Sequence, residues 1–188
     1  MDPVANIHET AAEMNRLMSS LSPESVGRPT PCAGWTAADL VEHVTANPYG
    51  FAEWAGDDRH VPVPASADPD RTAGERYGAA IWSVLCAYTA TGVLDKDLPT
   101  PFGDRPGAVV LAVCFADQLT HLWDLAYALG APVTVPDRLA QDAIDVWTAF
   151  IEQPLRNGDT FADPVDIHPA APALDRLAAF TGRDPGKA

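Results

Sequence analysis

Asp117 and His121 are the residues whose types and spacing point most directly to chemistry. They lie four residues apart in the run Val109–Leu129, which is otherwise apolar. On a helix, two residues at this spacing share one face and lie one turn apart. A run that is apolar almost all the way round predicts a central, buried helix. Because a buried carboxylate is costly unless it is paired or coordinated, a divalent cation held by both side chains would supply the compensation.

His43 is the third candidate ligand, on the apolar stripe of another predicted helix. Two imidazoles and one carboxylate suit zinc, nickel or iron and leave positions open for water or substrate. Facing helices of a bundle are a known source of such ligands. Each part also has a simpler interpretation: His43 as a hydrogen-bonded core histidine, and Asp117 with His121 as an ordinary ion pair or hydrogen bond. Together the three residues predict a metal site, with these interpretations left open.

Three further side chains, close in sequence to these candidate ligands, are expected to have other roles. Asp124, three residues beyond His121, is expected to be a polar contact near the helix end or an acceptor for an imidazole N–H, rather than a ligand. Cys114 lies two turns before His121 and is predicted to be a small core residue. Glu42 adjoins His43 and is therefore expected to point elsewhere as a solvated carboxylate. The sequence identifies no catalytic acid or base.

Composition and charge limit the classes of protein to which the chain can belong. With 188 residues, of which 47% are hydrophobic and 20% charged, the chain is expected to form one globular domain over residues 1–188. The formal net charge of −14 disfavours binding to nucleic acid or to an anionic membrane surface. An anionic substrate would need a metal or an arginine. Arg59, Arg71 and Arg105 could meet such a substrate, although surface solvation is the expected role of each.

The distribution of apolar residues and cysteines predicts a cytoplasmic protein. The first ten residues contain no basic segment followed by an apolar stretch, so no signal peptide is visible. The longest apolar run carries Asp117, His121 and Asp124, which argues against a membrane span. The three cysteines are far apart and odd in number. They predict reduced thiols rather than a disulfide framework or a paired-cysteine zinc motif.

Apolar residues at helical spacing, separated by proline and glycine, predict a helical chain. The predicted helices are Val4–Leu21, Thr36 (as N-cap) to Trp54, Pro69–Thr91, Pro106–Gly130, Pro136 to before Pro154, and Ala173–Thr181. Pro48 is expected to kink or interrupt the second helix. Strand signals are weak throughout. These elements predict an all-α, antiparallel four-helix bundle with short additional helices, of a kind that commonly forms homodimers by helix packing.

Several short motifs along nearly the whole chain resemble those of a known family and occur in the same order. They are Thr30–Thr36 with Asp39, Leu40 and His43; Thr100–Gly103; Pro106–Ala108; His121–Ala126 with Gly130; Asp175–Leu177; and Gly182–Pro185. With these motifs the sequence resembles the mycothiol-dependent maleylpyruvate isomerase family of the DinB-like superfamily. The resemblance implies a DinB-like four-helix bundle that binds a divalent metal, usually zinc.

The same resemblance implies which residues bind the metal and what the metal does. The family's ligands, a histidine on the second helix and a Glu-x-x-x-His pair on a later one, fall on His43, Asp117 and His121. Asp117 stands where the family has Glu and is one methylene shorter. Mycothiol, the small thiol of actinobacteria, is the implied cosubstrate, which the metal would activate towards an electrophilic substrate. The chain is expected to lack the additional C-terminal domain of the isomerase itself.

Two functions of different classes follow from these features. The first is a metal- and mycothiol-dependent isomerase, or an S-transferase-like enzyme that adds the thiol to a toxic electrophile. The second is a non-catalytic metal-binding module, or a metal-free bundle with an interaction role, which the change from Glu to Asp117 motivates. A measurement of bound metal would distinguish the metal-free bundle from the enzyme and from the non-catalytic metal-binding module.

Overall fold

The structure, a computed structural model, describes residues 1–56, 70–151, 155–156 and 160–187. Its α-helices are α1 Pro3–Met18, α2 Ala37–Trp54, α3 Ala73–Tyr88, α4 Gly107–Leu129, α5 Asp137–Phe150 and α6 Ala173–Phe180. A 3₁₀ turn covers Pro185–Lys187, and two short strands, β1 Asp97–Leu98 and β2 Arg105–Pro106, pair antiparallel. The predicted all-α fold is confirmed.

Helix α4 lies at the centre of the packing, as its sequence predicts. Helices α1 and α2 both contact α4, and α3 contacts α1 and α2, which closes a four-helix bundle. Helices α5 and α6 pack on α4 from outside this bundle. By length and composition α4 could cross a membrane, but 83% of its apolar 18-residue stretch is buried inside the protein. Its apolar character therefore reflects its place in the core.

Local side-chain chemistry sets where α2 and α3 begin. Thr36 caps α2 in a capping box with Asp39, as predicted, and Thr72 forms the same arrangement with Glu75 at α3. In each box the threonine hydroxyl accepts a bond from the third helical N–H, and the acidic side chain accepts from the N-cap N–H. The cap begins α3 at Ala73; Pro69, where the sequence predicts the start, lies outside the described residues.

Other helix ends also differ from the predicted ones. Helix α1 ends at Met18 rather than Leu21, and α5 ends at Phe150; Pro154, the predicted limit of α5, lies outside the described residues. Pro106 precedes α4 as its N-cap instead of lying in its first turn. The predicted stop at Gly130 is confirmed, since this glycine takes the left-handed conformation at φ 61° that commonly ends a helix.

Pro48 does not interrupt α2, which continues unbroken to Trp54. A proline has no N–H, so the carbonyl of Val44, four residues earlier, loses its helical partner. The side-chain amide of Gln118 on α4 donates to this carbonyl at 3.5 Å. The neighbouring helix thus supplies the bond that Pro48 cannot, beside the α4 turn that carries Asp117.

The connection between α3 and α4 contains a short antiparallel hairpin, whereas its sequence predicts only turns. Asp97 pairs with Pro106 and Leu98 with Arg105. Gly107 then begins α4 so close to the preceding chain that a Cβ there would lie 2.2 Å from the carbonyl oxygen of Val93. Only glycine permits this approach, which holds the short hairpin against the start of the central helix.

Candidate metal centre

The packing of α2 against α4 brings His43, Asp117 and His121 together. Their potential ligand atoms all lie within 4.8 Å of one another. The Nε2 of His121 lies 3.5 Å from Oδ1 of Asp117, and the two imidazole centroids are 4.8 Å apart. Two nitrogens and one carboxylate oxygen at such distances are the donor set expected around a small divalent cation with open coordination positions. The three side chains therefore fit a metal.

A chain of buried polar contacts orients His121. Its Nδ1 donates to Oδ2 of Asp124 at 2.9 Å, which directs Nε2 towards Asp117. Asp124 is fully buried and accepts two bonds from Arg183, from Nε at 3.1 Å and from Nη2 at 2.8 Å. A carboxylate that holds the far nitrogen of a ligating imidazole is a common support in metal sites, since it fixes the tautomer and the ring orientation.

The electrostatics of the cluster favour a cation between Asp117 and His121. Burial opposes a charged His121 ring, but the charge of Asp117 and the bond to Asp124 outweigh it and raise the pKa of His121 to about 10. Burial and the neighbouring charge of His121 lower the pKa of His43, which keeps that imidazole neutral. Burial also opposes ionisation of Asp124, but Arg183 and His121 hold its pKa well below the usual range. A bound cation would replace the proton that His121 otherwise carries.

Asn47 on α2 positions the carboxylate ligand. Its Nδ2 donates to Oδ2 of Asp117 at 2.7 Å, so that the other oxygen faces His121. Asn47 follows His43 by one helical turn and therefore shares its face of α2. Each helix thus carries one supporting polar side chain for the candidate ligands, Asn47 on α2 and Asp124 on α4.

Cys32, His121 and Asp124 form a second group with potential ligand atoms within 4.8 Å of one another. The thiol of Cys32 lies 3.3 Å from Oδ2 of Asp124 and 3.8 Å from Nη2 of Arg183. A metal at this position would lie against the guanidinium cation and would compete with its two bonds to Asp124. The better candidate is therefore the group of His43, Asp117 and His121.

The candidate centre opens into a cavity of about 650 Å³. Trp35, Trp147 and Phe161 contribute apolar walls, and Arg183 contributes a positive edge. The Trp35 ring lies 4.8 Å from the His43 ring between centroids. The volume falls in the range of small-molecule sites, so there is room for a ligand beside the metal position.

Comparison with known proteins places the chain in a family. The sequence model of the mycothiol maleylpyruvate isomerase N-terminal domain matches residues 7–126. The chain belongs to this family. The match covers the three candidate ligands and Asp124 but ends before α5, α6 and Arg183.

The chain is also similar to two curated relatives. They are uncharacterized proteins of Mycobacterium tuberculosis, one from strain CDC 1551 / Oshkosh and one from strain H37Rv. Each is 31% identical over 185 residues, which is 97% of this chain and 98% of the relative. No solved structure matches the chain.

The contacts of residues around the candidate centre can be compared with those that the sequence predicts. Asp124 accepts the imidazole N–H, and Cys114 is a fully buried core residue, both as predicted. Glu42 is partly solvated, with 42% of its side chain exposed, but it also has a partner that the sequence does not indicate: Arg76 on α3 donates to it at 2.7 Å. This partner lies 34 residues away, so helical periodicity could not reveal it. The ligand set itself remains a prediction.

The three arginines proposed for an anionic substrate lie outside the metal cavity or outside the described chain. Arg59 lies outside the described residues, and Arg71 and Arg105 are exposed and do not line this cavity. Arg183 does line it, and in the sequence it stands out only as part of the motif Gly182–Pro185. The spacing of Asn47 from His43 offered a signal that was missed, because both lie on one face of α2.

Replacing Asn47 by alanine is expected to weaken zinc binding by about 10- to 100-fold, the usual cost of removing a supporting contact to a ligand. The carboxylate of Asp117 would lose the donor that holds Oδ2 and would rotate freely. Competition with a chromophoric chelator would measure the dissociation constant. The matched control is Asn15→Ala on α1, away from the cavity; equal zinc affinity in both variants would contradict the assignment.

Proposed function

We propose that this protein binds one divalent metal, preferably zinc, with nickel or iron as alternatives, through His43, Asp117 and His121. We further propose that it acts as a mycothiol-dependent isomerase or S-transferase on an electrophilic small molecule. The observation that carries the proposal is the convergence of these donors at the wall of a ligand-sized cavity, in a chain of the mycothiol maleylpyruvate isomerase family. One domain over residues 1–188 and a cytoplasmic location are part of the proposal.

The chain's own residues would hold the reactants in place. When bound, a divalent metal lowers the pKa of a coordinated thiol and so supplies a nucleophilic thiolate near neutral pH. Asp124 keeps the Nδ1 proton of His121 in place, which leaves Nε2 free for ligation. Trp35 and Trp147 line the cavity with apolar surface. These apolar walls would exclude water, and a lower local dielectric would strengthen electrostatic interactions inside the cavity.

Asp117 can serve although it is shorter than the family's Glu. Its Oδ1 lies 3.5 Å from Nε2 of His121, and Asn47 holds its other oxygen. The carboxylate therefore already lies beside the second ligand without the additional methylene. This geometry favours a working site over one that has decayed.

Thiol binding to the full-length, zinc-loaded protein tests this function. Calorimetric titration is expected to show that mycothiol binds at least about tenfold more tightly than S-methylmycothiol, because a thioether is a far weaker ligand than a thiolate. Metal-free protein is expected to lose this preference. A panel of electrophiles, maleylpyruvate included, is then assayed with mycothiol for isomerisation or conjugation.

Two results would overturn parts of the proposal. Equal affinity for the thiol and its methyl ether would exclude activation of the thiol at this centre. Selective thiol binding without turnover of any electrophile would overturn the enzymatic role and leave the non-catalytic metal-binding module.

A further inference from the structure

A second cavity, of about 560 Å³, lies on the outer side of α4 and α5 next to the β1–β2 hairpin. Val109 and Val113 of α4 and Val146 and Phe150 of α5 contribute walls, and Phe102 of the hairpin turn contributes another. Among the described residues, none that lines it also lines the metal cavity. Its volume lies in the range of small-molecule sites.

The second cavity has a mainly apolar surface that is open to solvent. Phe102 is 47% exposed and Val109 is 43% exposed, which places both among the most exposed large apolar side chains of the described chain. The rings of Phe102 and Phe150 meet edge to face at 5.3 Å between centroids. Exposed apolar side chains gathered around a concavity are typical of ligand or partner sites. Scattered surface hydrophobics would not form a cavity wall.

Arg105 is the charged side chain among the described residues that line this cavity. Its Nη1 donates to the carbonyl oxygen of Asp104 at 2.9 Å, and no carboxylate of the described chain pairs with it. In a chain with a formal net charge of −14, most surface positions repel an anion. A guanidinium that has no ion-pair partner within the described ranges and lies beside an apolar cavity is therefore complementary to an anion with an apolar body.

We propose that this second cavity binds a small organic anion that has an apolar chain or ring and one carboxylate. The apolar body would lie between α4 and α5, and the carboxylate would meet Arg105 at the rim. Val109, Val113 and Asp117 follow one another at four-residue intervals along α4. The cavity therefore begins one helical turn, about 6 Å, from a candidate metal ligand. The site goes beyond the proposed metal–thiol function and does not depend on it.

Fluorescence of 1-anilinonaphthalene-8-sulfonate, an apolar aromatic anion, tests the site in the full-length protein. Saturable binding with displacement by octanoate is expected for the wild type. In Ala149→Trp the affinity is expected to fall by about tenfold or more, since the new ring fills the cavity. Val109→Trp is a second filling variant. Both positions are exposed, so neither change disturbs the core.

The charge requirement is tested with a matched pair of ligands, octanoate and octan-1-ol. Arg105→Gln is expected to weaken octanoate binding by about fivefold, as for one exposed ion pair, and to leave octan-1-ol binding unchanged. Lys96→Gln, a cation outside the cavity, is the control and should alter neither.

Three outcomes would overturn the proposal. The first is the absence of saturable binding in the wild type, and the second is unchanged affinity in both tryptophan variants. The third is binding that is lost in His43→Ala but kept in Ala149→Trp, because this result would place the probe in the metal cavity. Equal losses of octanoate and octan-1-ol in Arg105→Gln would reject the role of the charge.

Discussion

The His121→Ala protein is expected to purify without zinc, and the wild type is expected to carry close to one zinc ion per chain. His121 offers an imidazole nitrogen 3.5 Å from Asp117, and its removal leaves His43 and one carboxylate, too few ligands for a stable site. Elemental mass spectrometry of the purified proteins, without added metal, measures the difference. His43→Ala is expected to give the same loss.

His8→Ala is the matched control for this measurement. His8 is exposed on α1, outside the metal cavity, and its replacement is expected to leave the zinc content unchanged. A wild type that contains no metal after reconstitution with zinc or nickel would contradict the proposed centre. The bundle would then be interpreted as a metal-free protein with an interaction role.

Replacing Arg183 by alanine is expected to lower the free energy of unfolding by about 3–5 kcal/mol, the usual cost of leaving one partner of a buried ion pair alone. The reason is that Asp124 is fully buried and Arg183 donates two hydrogen bonds to it. Urea denaturation measures the change. In a chain of this size, each kcal/mol corresponds to a fall of about 2–4 °C in the melting temperature.

A second substitution tests the stated cause of this loss. Arg183→Ala combined with Asp124→Asn is expected to recover about half of the loss, because a neutral amide costs less to bury than an unpaired carboxylate. Arg138→Ala is the control, since its pair with Glu9 is exposed, such pairs contribute at most about 1 kcal/mol, and its other bond is a single one to the neutral side chain of Asn6. A loss in Arg183→Ala no larger than in Arg138→Ala would contradict the prediction.

The position of Arg183 shows that the candidate centre extends beyond the part of the chain that matches the family. The matched region ends at residue 126, and Arg183 follows α6. Its contact with Asp124 spans 59 positions of sequence. The stability of the segment after α6 and the orientation of His121 therefore depend on the same buried ion pair.

The helix faces and helix ends that the sequence predicts correctly follow from local patterns of residues. The spacing of Asp117 and His121 places them on one helix face, and the apolar run around them predicts a core helix, which α4 is. Thr36 and Gly130 mark helix ends through bonds and backbone angles that involve only near neighbours. Such features depend on positions a few residues apart, and so sequence alone is enough to predict them.

Contacts between distant parts of the chain become visible only in the folded protein. The helix α2 continues through Pro48, where its sequence predicts an interruption or a kink, and Gln118 donates to the carbonyl that Pro48 leaves without a helical partner. Asn47 holds Asp117 across the α2–α4 contact, and Arg183 reaches Asp124 from the far end of the chain. These pairings depend on the packing of whole helices and on the high cost of burying a charge without a partner. No spacing within a single helix encodes them. Most of the residues that hold the candidate ligands therefore cannot be predicted from the sequence, whereas the candidate ligands themselves can be proposed from residue type and helical spacing.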